Sequence, residues 1–179
     1  ELEEFLEREY PGIDLDGAAR EHEGTIDPYP IYRMLLLPLD SAKQSRKWHP
    51  EGDVLYHTLQ VFELARQHRP YDEEFLLAAL LHDVGKGIDP FDHVEAGLQA
   101  LEGVITERTR FFIEHHMQAH DYRTGALSSK QKRRLEASPD FDDLMLLRDL
   151  DDAGRVPGAV VGTVDEALDY LKELARENG

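Results

Sequence analysis

The sequence has 179 residues, of which 41% are hydrophobic and 32% are charged, as is typical of one globular domain with its own core. Its 37 acidic and 20 basic side chains give a formal net charge of −17, so we expect no binding to nucleic-acid phosphates or to anionic membranes. The lack of cysteine excludes disulfides, iron–sulfur clusters and thiolate zinc sites. The nine histidines leave imidazole and carboxylate chemistry open.

No segment has the pattern of a membrane span or a signal peptide. The longest apolar run, Phe75 to Leu81, is far shorter than the roughly 20 residues that a spanning helix needs. The acidic N-terminus lacks the basic start and apolar stretch of a signal peptide. We therefore expect a cytoplasmic protein, and the sequence leaves its oligomeric state open.

Apolar residues recur with helical spacing nearly throughout, and no alternating run is long enough for a strand. The pattern predicts a single all-α domain of seven to nine helices, over about 1–9, 31–39, 51–67, 72–83, 92–103, 106–120, 130–134, 138–154 and 163–177. We expect a polar connector over 121–129. Residues typical of helix N-termini mark several helix starts, namely an acidic first turn at Asp72-Glu73-Glu74, a capping box at Asp92 with Glu95, and caps at Ser138-Pro139 and at Thr163 with Glu166. Glycines mark two ends, with Gly85 and Gly87 after Asp83, and Gly154.

Ligand-type residues replace apolar ones in three of these helices. The apolar helix over 72–83 ends in His82-Asp83, and His57 lies mid-helix among apolar neighbours. Asp151 continues an apolar stripe where another leucine would be expected. Because a buried carboxylate is costly unless it is paired or bound to a metal, this pattern predicts a metal site between facing helices.

The set His57, His82-Asp83 and Asp151, with Gly85-Lys86 after the pair, resembles the HD superfamily of metal-dependent phosphohydrolases. The likeness spans about Trp48 to Arg155. It is greatest to the HD domain of bacterial tRNA nucleotidyltransferases, and the segments that carry it are Trp48 to Val54, His57-Thr58-Leu59, His93 to Gly97 and His116-Met117. Nothing here resembles their nucleotidyltransferase domain. The resemblance therefore implies a stand-alone HD-type helical bundle, with an N-terminal helical extension (1–48), a metal-binding core (49–155) and a C-terminal helix of the same domain (156–179).

The resemblance also implies a set of metal ligands. His57, His82, Asp83 and Asp151 would bind one divalent transition metal, and His93 with His116 would hold a second ion in a dinuclear site bridged by Asp83. Iron, manganese, nickel, cobalt and zinc all suit such ligands, and the sequence does not choose among them. Three of these assignments have alternatives. His115 could be the ligand in place of His116, and Asp149 or Asp152 could be the ligand in place of Asp151. His93 could instead be an exposed residue of its helix. The other histidines are expected at the surface or beside the site: His22, His49, His68 and His120.

The implied activity is hydrolysis of a phosphoester of a nucleotide or another small phosphorylated molecule by metal-activated water. Asp83 would anchor the metals and orient or deprotonate the water. We expect Lys86 to meet the negative charge on phosphate, the alternative being a lysine that complements the helix dipole. Arg123, Arg148 and Arg155 are candidate phosphate clamps, whereas the basic run 130–134 is expected to be a solvated helix face.

Two other functions stay open. A mixed-valent diiron oxygenase of the HD type would use the same ligands, and the segment from Arg148 to Arg155 is similar to the last ligand segment of those enzymes. The other alternative is a non-catalytic module that senses a metal or a nucleotide.

Overall fold

A computed structural model describes residues 27–42, 50 and 52–178. The predicted helix near 1–9, His22 and the Trp48-His49 pair lie outside these ranges. Within them the chain forms eight α-helices, two short 3-10 helices and no β-strand, which confirms the all-α prediction. In chain order the elements are α1 (Tyr29–Leu36), a first 3-10 helix (Leu37–Asp40), α2 (Val54–His68), α3 (Glu73–Leu81), a second 3-10 helix (Val84–Gly87), α4 (His93–Ala100), α5 (Glu107–Thr124), α6 (Ser129–Glu136), α7 (Phe141–Ala153) and α8 (Val164–Asn178).

Helix α3 is the centre of the bundle. Every residue from Phe75 to Leu81 is buried, because helices α2, α5 and α8 all pack against α3. A helix that is apolar on all sides is stable only when it is covered on all sides. The His82-Asp83 pair follows the C-terminal end of α3 and is therefore held inside the bundle. None of the helices in the described ranges is long and apolar enough to cross a membrane.

Several helix starts follow from local side-chain chemistry. Asp53 and Asp72 cap α2 and α3 by accepting hydrogen bonds from the backbone N–H three residues later. The predicted capping box of α8 is confirmed, since Thr163 N donates to Glu166 Oε2 at 2.7 Å and Glu166 N donates to Thr163 Oγ1 at 3.2 Å. A second box, which we did not predict, starts α6 at Ser128.

The predicted end of α3 is wrong. The helix ends at Leu81, and Gly85 with Gly87 belong to the 3-10 helix that follows. This turn packs tightly on α4, since a Cβ at position 85 would lie 1.8 Å from the carbonyl oxygen of His93 and 2.7 Å from Gly97 N. Gly85 is thus required by a close backbone approach, which brings the start of α4 against the end of α3.

Other boundaries also differ from the predictions. At the start of α4 the Asp92 side chain makes no capping hydrogen bond to the described residues, and Glu95 accepts instead from Gln99 Nε2 at 2.9 Å. Ser138 Oγ accepts from Asp140 N at 3.3 Å, so α7 begins three residues later, at Phe141. Helix α5 continues through part of the predicted connector and ends before Gly125, whose φ of 75° provides the left-handed turn.

Candidate metal centre

Six side chains from five helical segments meet beside the end of α3. Two of them are adjacent in the chain, and five of the six are buried. They are His57 in α2, His82 and Asp83 after α3, His93 at the start of α4, His116 in α5 and Asp151 in α7. The structure therefore brings together all six residues that the sequence suggested as metal ligands.

Asp83 lies between two pairs of histidines. Its Oδ2 atom is 3.4 Å from His82 Nε2 and 4.0 Å from His57 Nε2. Its Oδ1 atom is 3.5 Å from His93 Nε2 and 3.8 Å from His116 Nε2. Each oxygen thus faces one pair, which is the arrangement of a carboxylate that can bridge two cations.

Backbone carbonyls orient three of the histidine rings. The Nδ1 atoms of His57, His82 and His116 lie 2.9, 3.0 and 2.7 Å from the carbonyl oxygens of Gly154, Ala79 and Ile113. A carbonyl only accepts, so each Nδ1 carries the proton and donates it. The Nε2 lone pair of each ring is thereby left for the cluster, as in histidines that bind metals.

The donor set fits a divalent transition metal. Ligand atoms of His57, His82 and Asp83 lie within 4.8 Å of one another, and so do those of Asp83, His93 and His116. Nε2 of His82 is buried and makes no hydrogen bond within the described part of the chain. Buried imidazole nitrogens around a shared carboxylate suit iron, manganese, nickel, cobalt or zinc, and the geometry does not choose among them.

Asp151 contacts His57, which belongs to the group of His57, His82 and Asp83. Its Oδ1 atom is 3.0 Å from His57 Nε2, and its Oδ2 atom accepts from Arg148 at 2.9 Å. Burial opposes ionisation, but the adjacent ring of His57, together with His82 and Arg148, outweighs it, so the pKa of Asp151 lies well below its usual range. Arg148 is 3% exposed and fixes the orientation of this carboxylate.

The electrostatics of the cluster favour an ionised Asp83 and neutral rings of His93 in α4 and His116 in α5. Burial opposes ionisation of Asp83, but the neighbouring His82 and Lys86 hold its pKa well below its usual range. Burial is the main cause that lowers the pKa of His116 to about 4, and burial also lowers the pKa of His93. Both rings are therefore neutral at pH 7, the form in which imidazole binds a metal.

Lys86 and His93 form the edge of the cluster that reaches solvent. Their side chains are 22% and 13% exposed, whereas those of His57, His82, Asp83 and His116 are at most 3% exposed. Lys86 Nζ donates to Asp83 Oδ2 at 2.7 Å. The lysine therefore contacts the cluster directly, which a residue that only complements a helix dipole would not do.

Several competing candidates lie outside the cluster. His115 points away from His116, since its ring stacks on Phe111 at 4.6 Å and its Nδ1 donates to the carbonyl of that residue. Asp149 pairs with Arg123 on the exposed surface, so this arginine is not beside the cluster ligands. Asp152 pairs with Arg148 and Arg155. The other candidates are exposed, namely His68, His120 and the run 130–134.

Sequence reasoning missed the residues that hold the ligands in place. Gly85 sets the contact between the 3-10 helix and α4, and the carbonyl of Gly154 fixes the ring of His57. We had interpreted both glycines as helix ends. Arg148 was considered only as a phosphate clamp, although its spacing of three residues from Asp151 is the signal for an ion pair on one helix face.

A comparison with known proteins identifies a relative of this chain. The multifunctional CCA protein of Nitrosococcus oceani is 39% identical to this chain over 79 residues. The match covers 40% of this chain and 19% of that protein, so the chain matches about a fifth of the relative's length.

The family comparison covers the cluster itself. The HD domain model matches residues 54–153, which run from the start of α2 to the end of α7 and contain all six clustered residues. HD domains bind divalent metals, and members of the superfamily are generally metal-dependent hydrolases. This chain belongs to the HD domain family.

Proposed function

We propose that this protein is a metal-dependent phosphohydrolase that cleaves a phosphoester of a nucleotide or another small phosphorylated molecule. The observation that carries the proposal is the position of Asp83, whose two oxygens face separate histidine pairs. His57, His82 and Asp151 would hold one divalent ion with Asp83, and His93 and His116 would hold a second. Such ions polarise phosphoryl oxygens and make water a nucleophile near neutral pH.

The position of Asp83 supports the role of an anchor for the metals. Its Oδ2 and Oδ1 atoms face different histidine pairs, and Lys86 donates to Oδ2. An ionised carboxylate in this position offers both oxygens as acceptors for cations. In this proposal Asp83 holds the metals, and it orients or deprotonates the attacking water.

Lys86 supplies positive charge where substrate would enter. Its ammonium group is at the solvent-reaching edge of the cluster and beside Asp83. A fixed cation there stabilises the negative charge that develops on a phosphoryl group. The chain needs such a local cation because its net charge of −17 repels anionic substrates at long range.

The test is metal content together with phosphatase activity. Protein purified without oxygen is analysed for bound metals, loaded with manganese, nickel, cobalt or iron, and assayed on nucleoside phosphates and cyclic phosphates. We expect metal-dependent release of phosphate, or ring opening of the cyclic esters, that Asp83→Ala abolishes. Asp149→Ala is the matched control, because this carboxylate lies on α7 but pairs with Arg123 at the surface.

Four results would contradict the proposal. A mixed-valent diiron signal with consumption of oxygen would assign the cluster to an oxygenase. Metal binding without turnover of any phosphoester would indicate a sensing module, and activity that survives the loss of Asp83 would show that this cluster does not catalyse the hydrolysis. Protein that retains no metal under any loading condition would remove the basis of the proposal.

A further inference from the structure

Two arginines contact the same two carboxylates near the end of α7, but they hold them differently. Arg148 is 3% exposed, donates to Asp151 Oδ2 at 2.9 Å and bonds both oxygens of Asp152. The side chain of Arg155 is 26% exposed, and its Nη2 atom lies 3.3 Å from Asp151 Oδ1 and 3.4 Å from Asp152 Oδ1. Charge-assisted hydrogen bonds of this type are normally about 2.7–2.9 Å long. Arg148 therefore orients the carboxylates, whereas the contacts of Arg155 are loose.

Within the described part of the chain, Arg155 uses little of its capacity to donate hydrogen bonds. A guanidinium carries five N–H donors on three nitrogens, and both carboxylate contacts of Arg155 there involve Nη2 alone. Its Nε atom is buried and makes no hydrogen bond to the described residues. Because a buried donor without an acceptor is unfavourable, such a group calls for an explanation. An acceptor that arrives with a bound anion provides one.

The backbone on both sides of Arg155 is anchored to α2, the helix that carries His57. The carbonyl oxygen of Gly154 accepts from His57 Nδ1 at 2.9 Å. On the other side, Val156 N donates to the side-chain oxygen of Gln60 at 3.1 Å. Arg155 therefore extends from a constrained backbone next to a residue of the cluster, and a ligand does not have to order a flexible segment to contact it.

Arg155 and Lys86 border the same half of the cluster. Asp151 Oδ1, which Arg155 approaches, is 3.0 Å from His57 Nε2. Asp83 Oδ2, to which Lys86 donates, is 4.0 Å from the same nitrogen. The two cations thus lie beside the two carboxylate oxygens that face His57, and both side chains reach solvent. An anion that enters this half of the cluster meets positive charge from two separate segments of the chain.

Resting on the proposed function, we infer that Arg155 binds the phosphoryl group of the substrate together with Lys86. The planar fork of a guanidinium matches two oxygens of a phosphate, and Nε with Nη2 of Arg155 forms one side of such a fork. In the hydrolysis water forms a new bond to phosphorus, the bond to the ester oxygen breaks, and a proton of the water leaves with the alcohol. Arg155 keeps its own protons and holds the phosphoryl oxygens throughout.

The test measures the binding of inorganic phosphate to manganese-loaded protein by titration calorimetry, which needs no turnover. We expect Arg155→Met to weaken this binding about 10- to 150-fold, which corresponds to the roughly 1.5–3 kcal/mol of a hydrogen bond to a charged group. Arg155→Lys should lose less, since it keeps the charge without the fork. The metal content of both variants should stay unchanged, because Arg148 still holds Asp151. Arg123→Met is the matched control, since Arg123 pairs with an α7 carboxylate, that of Asp149, at the surface.

Metal content and kinetics separate this inference from the proposed function. Phosphate binding that depends on Arg155 without hydrolysis of any phosphoester would count against the proposed function and support the inference. Hydrolysis with equal kcat/KM in the wild type and in Arg155→Met would leave the proposed function and overturn the inference. A loss of metal that accompanies the loss of phosphate binding would show that Arg155 only supports Asp151. That result would also overturn the inference, as would wild-type protein that binds no phosphate.

Discussion

Several ligands of the cluster are oriented by main-chain atoms, which every residue type has. The Nδ1 atoms of three histidines donate to main-chain carbonyls, and any residue type can provide such an acceptor. These bonds fix the tautomer and the direction in which Nε2 points. The identity of a ligand is therefore readable from the sequence, whereas its orientation depends on the folded backbone.

His115 and His116 provide a direct test at this scale. His116 is buried with Nε2 3.3 Å from that of His93 and 3.8 Å from Asp83 Oδ1, whereas His115 stacks on Phe111. If each histidine pair holds one ion, His116→Gln should lower the bound metal from two ions per chain to one. His115→Gln should leave both, because its ring donates no lone pair to the cluster. Elemental analysis after dialysis measures the stoichiometry.

Circular dichroism of both variants provides the control for folding. Both should retain their helical content, since each substitution replaces one polar side chain with another. Loss of metal in His115→Gln together with full metal in His116→Gln would contradict the assignment.

At the scale of elements, the close approach of two short segments builds half of the site. The 3-10 helix Val84–Gly87 and the start of α4 meet at Gly85, where no side chain fits. This contact places His93 opposite Asp83. The α4 side of the cluster therefore depends on a residue that has no ligand atom.

Gly85→Ala should damage both stability and metal binding. Its Cβ would overlap the main chain of α4, which cannot relax as a side chain can, and overpacking of this kind costs about 1–3 kcal/mol or more. For a protein of this size we expect the Tm to fall by about 3–10 °C. Thermal melting and metal titration measure the two effects.

Gly87→Ala is the matched control in the same turn. An added Cβ there meets the end of the Leu39 side chain at 3.0 Å, which can shift. We expect the Tm to change by less than about 3 °C and metal binding to stay intact. Equal effects of the two substitutions would show that the backbone contact at Gly85 does not organise the site.

The sequence predicted the helices better than it predicted where they begin and end. The apolar run of α3 and the stripe leading to Asp151 predicted the buried helices that carry ligands, because burial follows hydrophobic spacing. The start of α7 was misplaced and α4 lacks the expected capping box, because Asp92 and Ser138 have the right residue types but not the expected hydrogen bonds. Capping depends on local backbone angles, which residue identity restricts only weakly.

The residue patterns alone did not predict the contacts between helices that are distant in the chain. His57 and Asp151 are far apart in the chain, and their 3.0 Å contact depends on how α2 packs against α7. The resemblance to a known family supplied these pairings before the structure did. The contact of Arg148 with Asp151 became clear only from the folded chain.

At the scale of the whole molecule, one arginine connects the starts of three helices. Arg108 in α5 donates to Asp72 and Asp140 and approaches Glu74 and Asp143. These carboxylates lie at or near the N-terminal ends of α3 and α7. The hydrogen bonds to Asp72 and Asp140 raise the pKa of the guanidinium further above its usual range, so Arg108 is charged at every pH of interest.

Removing this cation should destabilise the bundle without touching the metal centre. Arg108→Met leaves several partly buried carboxylates facing one another, and a cost of about 2 kcal/mol lies between the values for exposed and for fully buried ion pairs. We expect the Tm to fall by about 4–8 °C at pH 7. Arg110→Met is the matched control, because Arg110 is on the same helix and, in the described part of the chain, pairs with the exposed Glu114 at 4.0 Å.

The destabilisation should also depend on pH, with a sign set by Asp72. Burial raises the pKa of this carboxyl, but the hydrogen bonds from Arg108 and from Phe75 N outweigh it and lower the pKa below its usual value of 3.8. A carboxyl with a lowered folded pKa contributes stability that is complete above its unfolded pKa and is lost as the pH falls through the folded pKa. The Tm difference between wild type and Arg108→Met should therefore be constant from pH 7 to about pH 5 and shrink below about pH 4. Calorimetry from pH 7 to pH 3 measures it, and a difference that widens on acidification would show that Asp72 and its neighbours are not stabilised by Arg108 in the folded state.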